Sequence, residues 1–215
     1  MLKDIKLVIF DLDGTLVDAY QAITGSFNYA MQKLNYPLQK PQVIRRAVGW
    51  GDANLLKPFV AAKDLDKALL IYRRHHAISL LKGSRLLPGA LGVLSALKKR
   101  NFKLAVASNR PTRFSLILIR HLRLKDYFSY ILCADKLKRG KPHPQILKRI
   151  MRKFRVKPAE TLYIGDMAID AETGRRAGVN TVIVTGGSSS RSEIRKEKPW
   201  CVITNINASL RLFAG

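Results

Sequence analysis

From residue 5 the chain reads IKLVIF and then, without transition, DLDGT. An unbroken apolar run ending at Asp11 predicts a central parallel strand, buried on both faces. Between residues 22 and 34, Ile23, Phe27, Ala30, Met31 and Leu34 recur at helical spacing. Pro37 and Pro41 interrupt that pattern, and PQVIRRAV opens a short helix with proline in its first turn. GWG at 49–51 predicts a turn, with Asp52 placed to cap the next helix. A longer helix is expected over 64–81, closed by Lys82-Gly83. Residues 18–85 therefore read as helix throughout, with no strand.

After LPGA at 87–90 the rhythm changes to alternation. Helices are expected at 90–100, 111–122, 143–154 and 168–177. Strands are expected at 103–108, 130–134, 161–166 and 180–185. GGSSSRS at 186–192 reads as a flexible loop, followed by a short strand at 201–204 and a last helix from Asn207. Strands that alternate with helices predict an α/β fold built on a doubly wound parallel sheet. The expected division is an α/β core of residues 1–17 and 86–215, with a small all-helical insertion, 18–85, after the first strand.

Composition narrows the class. Of 215 residues, 47% are hydrophobic, enough for a real core and too many for a disordered chain. Cys133 and Cys201 lie apart in apolar runs without a CxxC spacing, which argues against a zinc site or a disulfide framework. Reduced thiols in a soluble, cytoplasmic protein are expected, since no apolar run approaches the ~20 residues of a membrane span. Lys and Arg number 39 against 15 Asp and Glu, a net charge of +24. Such a balance favours anionic partners, either phosphorylated metabolites or nucleic acid. The densest basic run is LKRIMRKFRVK at 147–157.

Chemistry concentrates where the strands end. In open parallel sheets, ligands bind beyond the carboxyl ends of the strands. Asp11, Ser108, Asp135 and Asp166 all fall at or just past such ends. Asp11 and Asp13, two apart on an extended chain, face the same way and repel unless they share a proton or a cation. Gly14 gives backbone room for a ligand, and Thr15 adds a hydroxyl. The residues alone point to a metal or phosphate site.

Together these motifs resemble the haloacid dehalogenase superfamily. DLDGT (11–15), ASN (107–109), GKPHP (140–144) and IGDMAID (164–170) match that family's four motifs in order, on the expected elements. The resemblance implies a Mg2+-dependent phosphatase with a helical cap inserted after the first strand. It implies Asp11 as nucleophile, Asp13 as proton shuttle, and Ser108 and Lys141 as catalytic partners. Metal binding is implied for Asp11, Asp13, Asp166 and Asp170, with Asp170 orienting metal-bound water or Lys141. Phosphate binding is implied for Gly14, Ser108, Asn109 and Lys141. His75, His76 and His143 are not ligands on this reading; the His75-His76 pair lies on a cap helix with one side solvated.

VIRRAVGWG (43–51) is similar to the cap loop of phosphoglycolate phosphatases. By that similarity Arg45, Gly49, Trp50 and Gly51 set specificity, with Arg45 or Arg46 pairing a substrate carboxylate. The expected substrate is a small phosphorylated metabolite with an anionic head. A sugar phosphomutase of the β-phosphoglucomutase kind shares all four motifs. A phosphatase of polynucleotide ends would account for the charge, and its mark would be a basic stripe leading into the cleft.

Overall fold

The computed structural model describes residues 4–213. Strand β1, Leu7–Phe10, is fully buried at all four positions and pairs in parallel on both sides. Its neighbours are β4 (Lys103–Ser108) and β6 (Thr161–Gly165). Outward from these lie β5 (Tyr130–Cys133) on one side, and β7 (Asn180–Val184) then β8 (Cys201–Ile203) on the other. The order is β5-β4-β1-β6-β7-β8, all parallel. The doubly wound sheet expected from the alternation is present.

The pleat sorts each strand between two layers. Val8, Phe10, Leu104, Val106, Leu162 and Ile164 face one continuous hydrophobic core. That core takes in α5 (Ala90–Lys99), α6 (Thr112–His121) and the final 3-10 segment, Ile206–Phe213. Leu7, Ile9, Ala105, Ala107 and Tyr163 face the opposite way, onto α7 (Gln145–Phe154) and its neighbours. Helix α8, Ala168–Ala177, lies so close to β7 that a Cβ on Gly174 would overlap Thr181 Oγ1.

Between β1 and α5 the chain forms α1 (Tyr20–Lys33), α2 (Pro41–Ala47), α3 (Asp52–Leu56) and α4 (Leu65–Gly83). Helix α4 presents Ala68, Tyr72, His76 and Leu80 along one buried seam against α1. Four-residue spacing explains that seam, and His76 is its polar member. Helix α1 answers with Ala22, Ser26 and Ala30 on its buried face.

Three expectations need correction. Residues 18–85 are not free of strand: β2 (Val17–Asp18) pairs antiparallel with β3 (Arg85–Leu86) where the chain leaves and returns. A two-residue strand has no periodicity to read and exists only through its partner. GGSSSRS is not loop throughout, because Ser190 caps α9 (Arg191–Lys196) in a capping box with Glu193. The S-x-x-E signal for that start was present. Asp52 does not cap α3; it begins the helix and pairs with Arg73 at 2.7 Å. Among the described residues, no helix is long and apolar enough to cross a membrane.

Gly174→Ala is expected to destabilise the fold by about 1–3 kcal/mol, the usual cost of forcing volume into a packed contact. Chemical denaturation of both proteins measures it, and an unchanged midpoint would contradict the contact between α8 and β7.

Candidate active site

The sheet order reverses at β1, because the chain builds outward through β4 and β5 and then returns to β6 on the other side. Asp11 and Asp166 follow β1 and β6, the adjacent strands astride that switch point. The backbone ladder continues past the strand, with Asp11 N–H donating to Ile164 O at 2.8 Å. Side-chain oxygens of Asp11, Asp166 and Asp170 come within 4.8 Å of one another, all in buried residues.

One cation answers them. Lys141 Nζ lies 2.6 Å from Asp170 Oδ1 and 3.0 Å from Asp11 Oδ1. The second contact is an ion pair without hydrogen-bond alignment, since Asp11 Oδ1 has no hydrogen-bond partner. Tyr163 completes the cluster, its hydroxyl donating to Asp170 Oδ1 at 2.6 Å and accepting from Lys141 Nζ at 3.2 Å. Asp170 Oδ2 accepts from the backbone N–H groups of Asp166 and Met167. Both oxygens of Asp170 are thus engaged, and its clearest role is to hold Lys141.

Asp166 differs. Its Oδ1 accepts from the Thr15 hydroxyl at 2.9 Å, whereas its Oδ2 is buried with no partner. A Cβ on Gly14, where φ is +79°, would fall on that oxygen, and so would one on Gly187. The bare backbone on both sides leaves the orphaned oxygen its space. A buried carboxylate oxygen with no donor, among further carboxylates, fits a hard divalent cation that prefers oxygen ligands. Asp11 and Asp166 have the oxygens to hold one.

The charges set the acidities. Burial, then Asp170 and Asp13, push the Asp11 carboxyl up to about 7, against the pull of Lys141. Burial, then Asp170 and Asp11, raise Asp166 well above the usual carboxylate range. Burial works against the charge on Lys141, but Asp11 and Asp170 outweigh it and hold the ammonium above its ordinary value.

Asp13 has a partner of its own, apart from Lys141. Arg110 grips its carboxylate bidentately, Nε to Oδ2 at 2.7 Å and Nη2 to Oδ1 at 2.6 Å. Arg110 Nη1 donates to His76 Nε2 at 2.8 Å. Because guanidinium only donates, that nitrogen accepts, and His76 Nδ1–H faces Ser26 Oγ at 3.1 Å. Burial and then Arg110 lower the His76 imidazole to about 2, so the ring is neutral. The chain Asp13–Arg110–His76–Ser26 joins the strand ends to α4 and α1.

The remaining expected residues divide. Ser108 is buried beside the cavity and its hydroxyl accepts from Arg110 N–H at 3.2 Å. The Asn109 side chain is spent on backbone, with Oδ1 accepting from Lys141 N–H and Nδ2 donating to Lys141 O and Gly49 O. Gly49 has φ of +111°, a backbone conformation that favours glycine, and packs against the end of the Met167 side chain at the cavity wall. Gly51 also lines the cavity, while Trp50 is 47% exposed.

Arg45 does not reach the cavity. Its guanidinium lies over the Tyr20 ring, 4.3 Å from the centroid, and donates to Gly186 O. Arg46 binds Glu193 and Ser188 O. Both arginines clasp the loop after β7. Asp135 is not part of the cluster either; it caps α6 by accepting from Thr112 N–H and Oγ1–H. Of the histidine pair expected on a helix with one side solvated, His75 is half-buried and His76 is buried. Lys148, Arg149 and Arg152 of the basic run line a surface groove with Lys138 and Arg139, and none of them lines the cavity.

A family model for haloacid dehalogenase-like hydrolases matches residues 8–184. The chain belongs to that family. A phosphoglycolate phosphatase of Nitrosococcus oceani is 30% identical over 214 residues, covering 96% of this chain and 95% of that protein. One from Rhodobacter capsulatus is 34% identical over 187 residues, covering 84% of each. The crystal structure of a predicted phosphoglycolate phosphatase from Haemophilus somnus 129pt superposes with a TM-score of 0.93 at 26% identity, covering 100% of both chains. The hydrolase thus shares between 84% and 100% of its length with these relatives.

Arg110, His76 and Tyr163 were not singled out by sequence for this site. NRP after β4 reads as a turn, and the partner of Arg110 lies 34 residues away on α4. Tyr163 reads as one more apolar strand position.

Asp11 holds a proton in the folded chain over roughly pH 4–7 that the unfolded chain has released, and Asp166 is shifted in the same direction, so folding takes up protons there. Stability of the metal-free hydrolase is therefore expected to fall as pH rises through that window. A divalent cation displaces those protons, and its rise in Tm should be larger at pH 8 than at pH 5.5. Equal shifts at both values would contradict binding at these carboxylates.

Proposed function

We propose that this hydrolase is a Mg2+-dependent phosphatase acting on a small phosphate monoester with an anionic head, of the phosphoglycolate kind. The observation that carries the reading is the buried set of Asp11, Asp166 and Asp170 around Lys141, with Asp166 Oδ2 left open. A phosphate monoester is a dianion that hydrolyses very slowly unaided, so a catalyst must neutralise its charge and hold a nucleophile in line. Mg2+ held by Asp11, Asp166 and, as the family resemblance implies, the carbonyl of Asp13 would supply that neutralisation.

The chain's own groups do the rest. Asp11 attacks phosphorus, a bond forms from its carboxylate oxygen, and the ester P–O bond breaks. Asp13 gives the departing alkoxide its proton, so an alcohol leaves and an aspartyl phosphate remains. Water then attacks phosphorus, Asp13 takes its proton, and Asp11 is released with inorganic phosphate. Lys141, beside Asp11, balances charge on the nucleophile and on the phosphoryl oxygens, while Asp170 and Tyr163 hold its ammonium in place. Ser108 is positioned to hydrogen-bond the phosphoryl group.

Helices α1–α4, with the two short strands at their root, act as the cap that covers the site and excludes water. The cavity they share with the core measures about 60 Å³. At ~10–15 Å³ per water that is room for a handful of waters beside the strand ends. The relatives' activity, across their near-complete coverage of this chain, supports phosphoglycolate as the first substrate to try.

Asp11→Asn is expected to lower turnover of phosphoglycolate by roughly 10⁴-fold or more, as loss of a nucleophile does elsewhere, with circular dichroism unchanged. EDTA should abolish wild-type turnover and Mg2+ should restore it. Phosphate release measured on a panel of phosphorylated metabolites tests the assignment, and substantial activity in Asp11→Asn would refute the nucleophile.

A further inference from the structure

The cavity between core and helical insert is walled largely by apolar side chains, Ile23, Val48, Leu55, Tyr72 and Phe114. Among its described lining residues there are two cations, Arg110 and Lys141. Lys141 is committed to Asp11 and Asp170 at the phosphoryl end. His76 also lines the cavity but is neutral. Arg73, which could have reached Asp52 on the cavity wall and then a ligand, is spent on Asp52 in a two-pronged pair. Arg45 and Arg46 are turned away onto the loop after β7. By elimination, one buried guanidinium is left for whatever negative charge a substrate brings besides its phosphate.

Arg110 is built for that task. It is 8% exposed, and His76, itself fixed by Ser26 and stacked on Tyr72 at 4.8 Å, orients it from behind. Each of its three nitrogens makes one bond in this state, which leaves two of five N–H donors free. The partner it grips side-on is a carboxylate, Asp13. A planar fork matches any carboxylate in the same way.

Resting on the phosphatase reading above, we propose that Arg110 is the specificity-determining residue for the substrate's anionic head. The head's carboxylate replaces Asp13 in the guanidinium fork, and the Asp13 side chain is released towards the phosphoryl group. In the free enzyme Asp13 occupies the place of the substrate's carboxylate. An ester with a neutral head cannot displace it, so it loses both the ion pair and the correctly placed Asp13. Discrimination then appears in kcat as well as in KM. His76 and Ser26 are positioning residues that keep the fork aimed from the insert.

The test compares phosphoglycolate with ethyl phosphate, which has the same carbon count and a neutral head. Steady-state kinetics with Mg2+ are run on wild type, Arg110→Lys and Arg110→Met, with Tm recorded for each. Wild type should favour phosphoglycolate in kcat/KM by roughly 10–100-fold, the range of a charge-assisted hydrogen-bond pair. Arg110→Met should bring the ratio to within about threefold of one. Arg110→Lys, which keeps the charge without the fork, should fall between them and carries the test if Arg110→Met does not fold. A folded variant that keeps the wild-type ratio would overturn the inference while leaving the phosphatase intact. Failure of wild type to release phosphate from either ester would instead overturn the phosphatase reading, and this inference with it.

Discussion

Three buried carboxylates held within 4.8 Å of one another are the constraint around which this hydrolase is arranged. At an effective dielectric of about 20, each like-charged pair at that distance costs on the order of 3 kcal/mol. Lys141 offsets part of that repulsion, and the rest adds to burial in making Asp11 and Asp166 weaker acids than ordinary carboxyls. No packing preference would gather such groups; only a role for concentrated negative oxygen explains them. The sheet makes the gathering possible, because β1 and β6 are neighbours in parallel register and their ends deliver Asp11 and Asp166 to one point.

Polar contacts then tie the insert to the core at a few defined places. Asn109 binds Gly49 O, Arg45 and Arg46 bind the loop at 186–193, and Arg110 binds His76. The first two act through backbone and exposed pairs, which contribute little each. The third is buried, and it runs from a helix of the insert directly to Asp13. Position of the insert and position of the Asp13 carboxylate are thus linked through one guanidinium. That contact makes the cavity more than a lidded pocket, because α4 reaches Asp13 through a single intervening side chain.

What the sequence disclosed follows from which signals are local. A buried parallel strand is an unbroken apolar run, so β1, β4, β6 and β7 announce themselves, and an acid at such an end stands out against it. Asp11, Asp13 and Asp166 were legible for that reason. The S-x-x-E box before α9 was equally local and went unread behind its serine and glycine neighbours. By contrast, β2 and β3 exist only as each other's partner, across 18–85. Asp135 looks like a site residue by position along its strand, yet Thr112 on α6 decides its use. Arg45 shares its short helix with nothing that reveals the Tyr20 ring or the Gly186 carbonyl. Arg110 and His76 become meaningful only when two remote segments meet, and neither periodicity nor composition carries that meeting.

The net charge of +24 acquires a sense from where the acids lie. The chain has 15 acidic residues, and Asp11, Asp13, Asp166 and Asp170 are collected around one buried site. The exterior is left strongly basic, as on the outer face of α7. A dianionic ester approaching this surface feels attraction first and meets the carboxylates only inside, where Lys141 and Arg110 already face them. A positive exterior raises the encounter rate with anions without improving the fit of any of them. The basic shell therefore suits capture, whereas the few charges inside the cavity are buried, and a buried ion pair is felt more strongly than an exposed one.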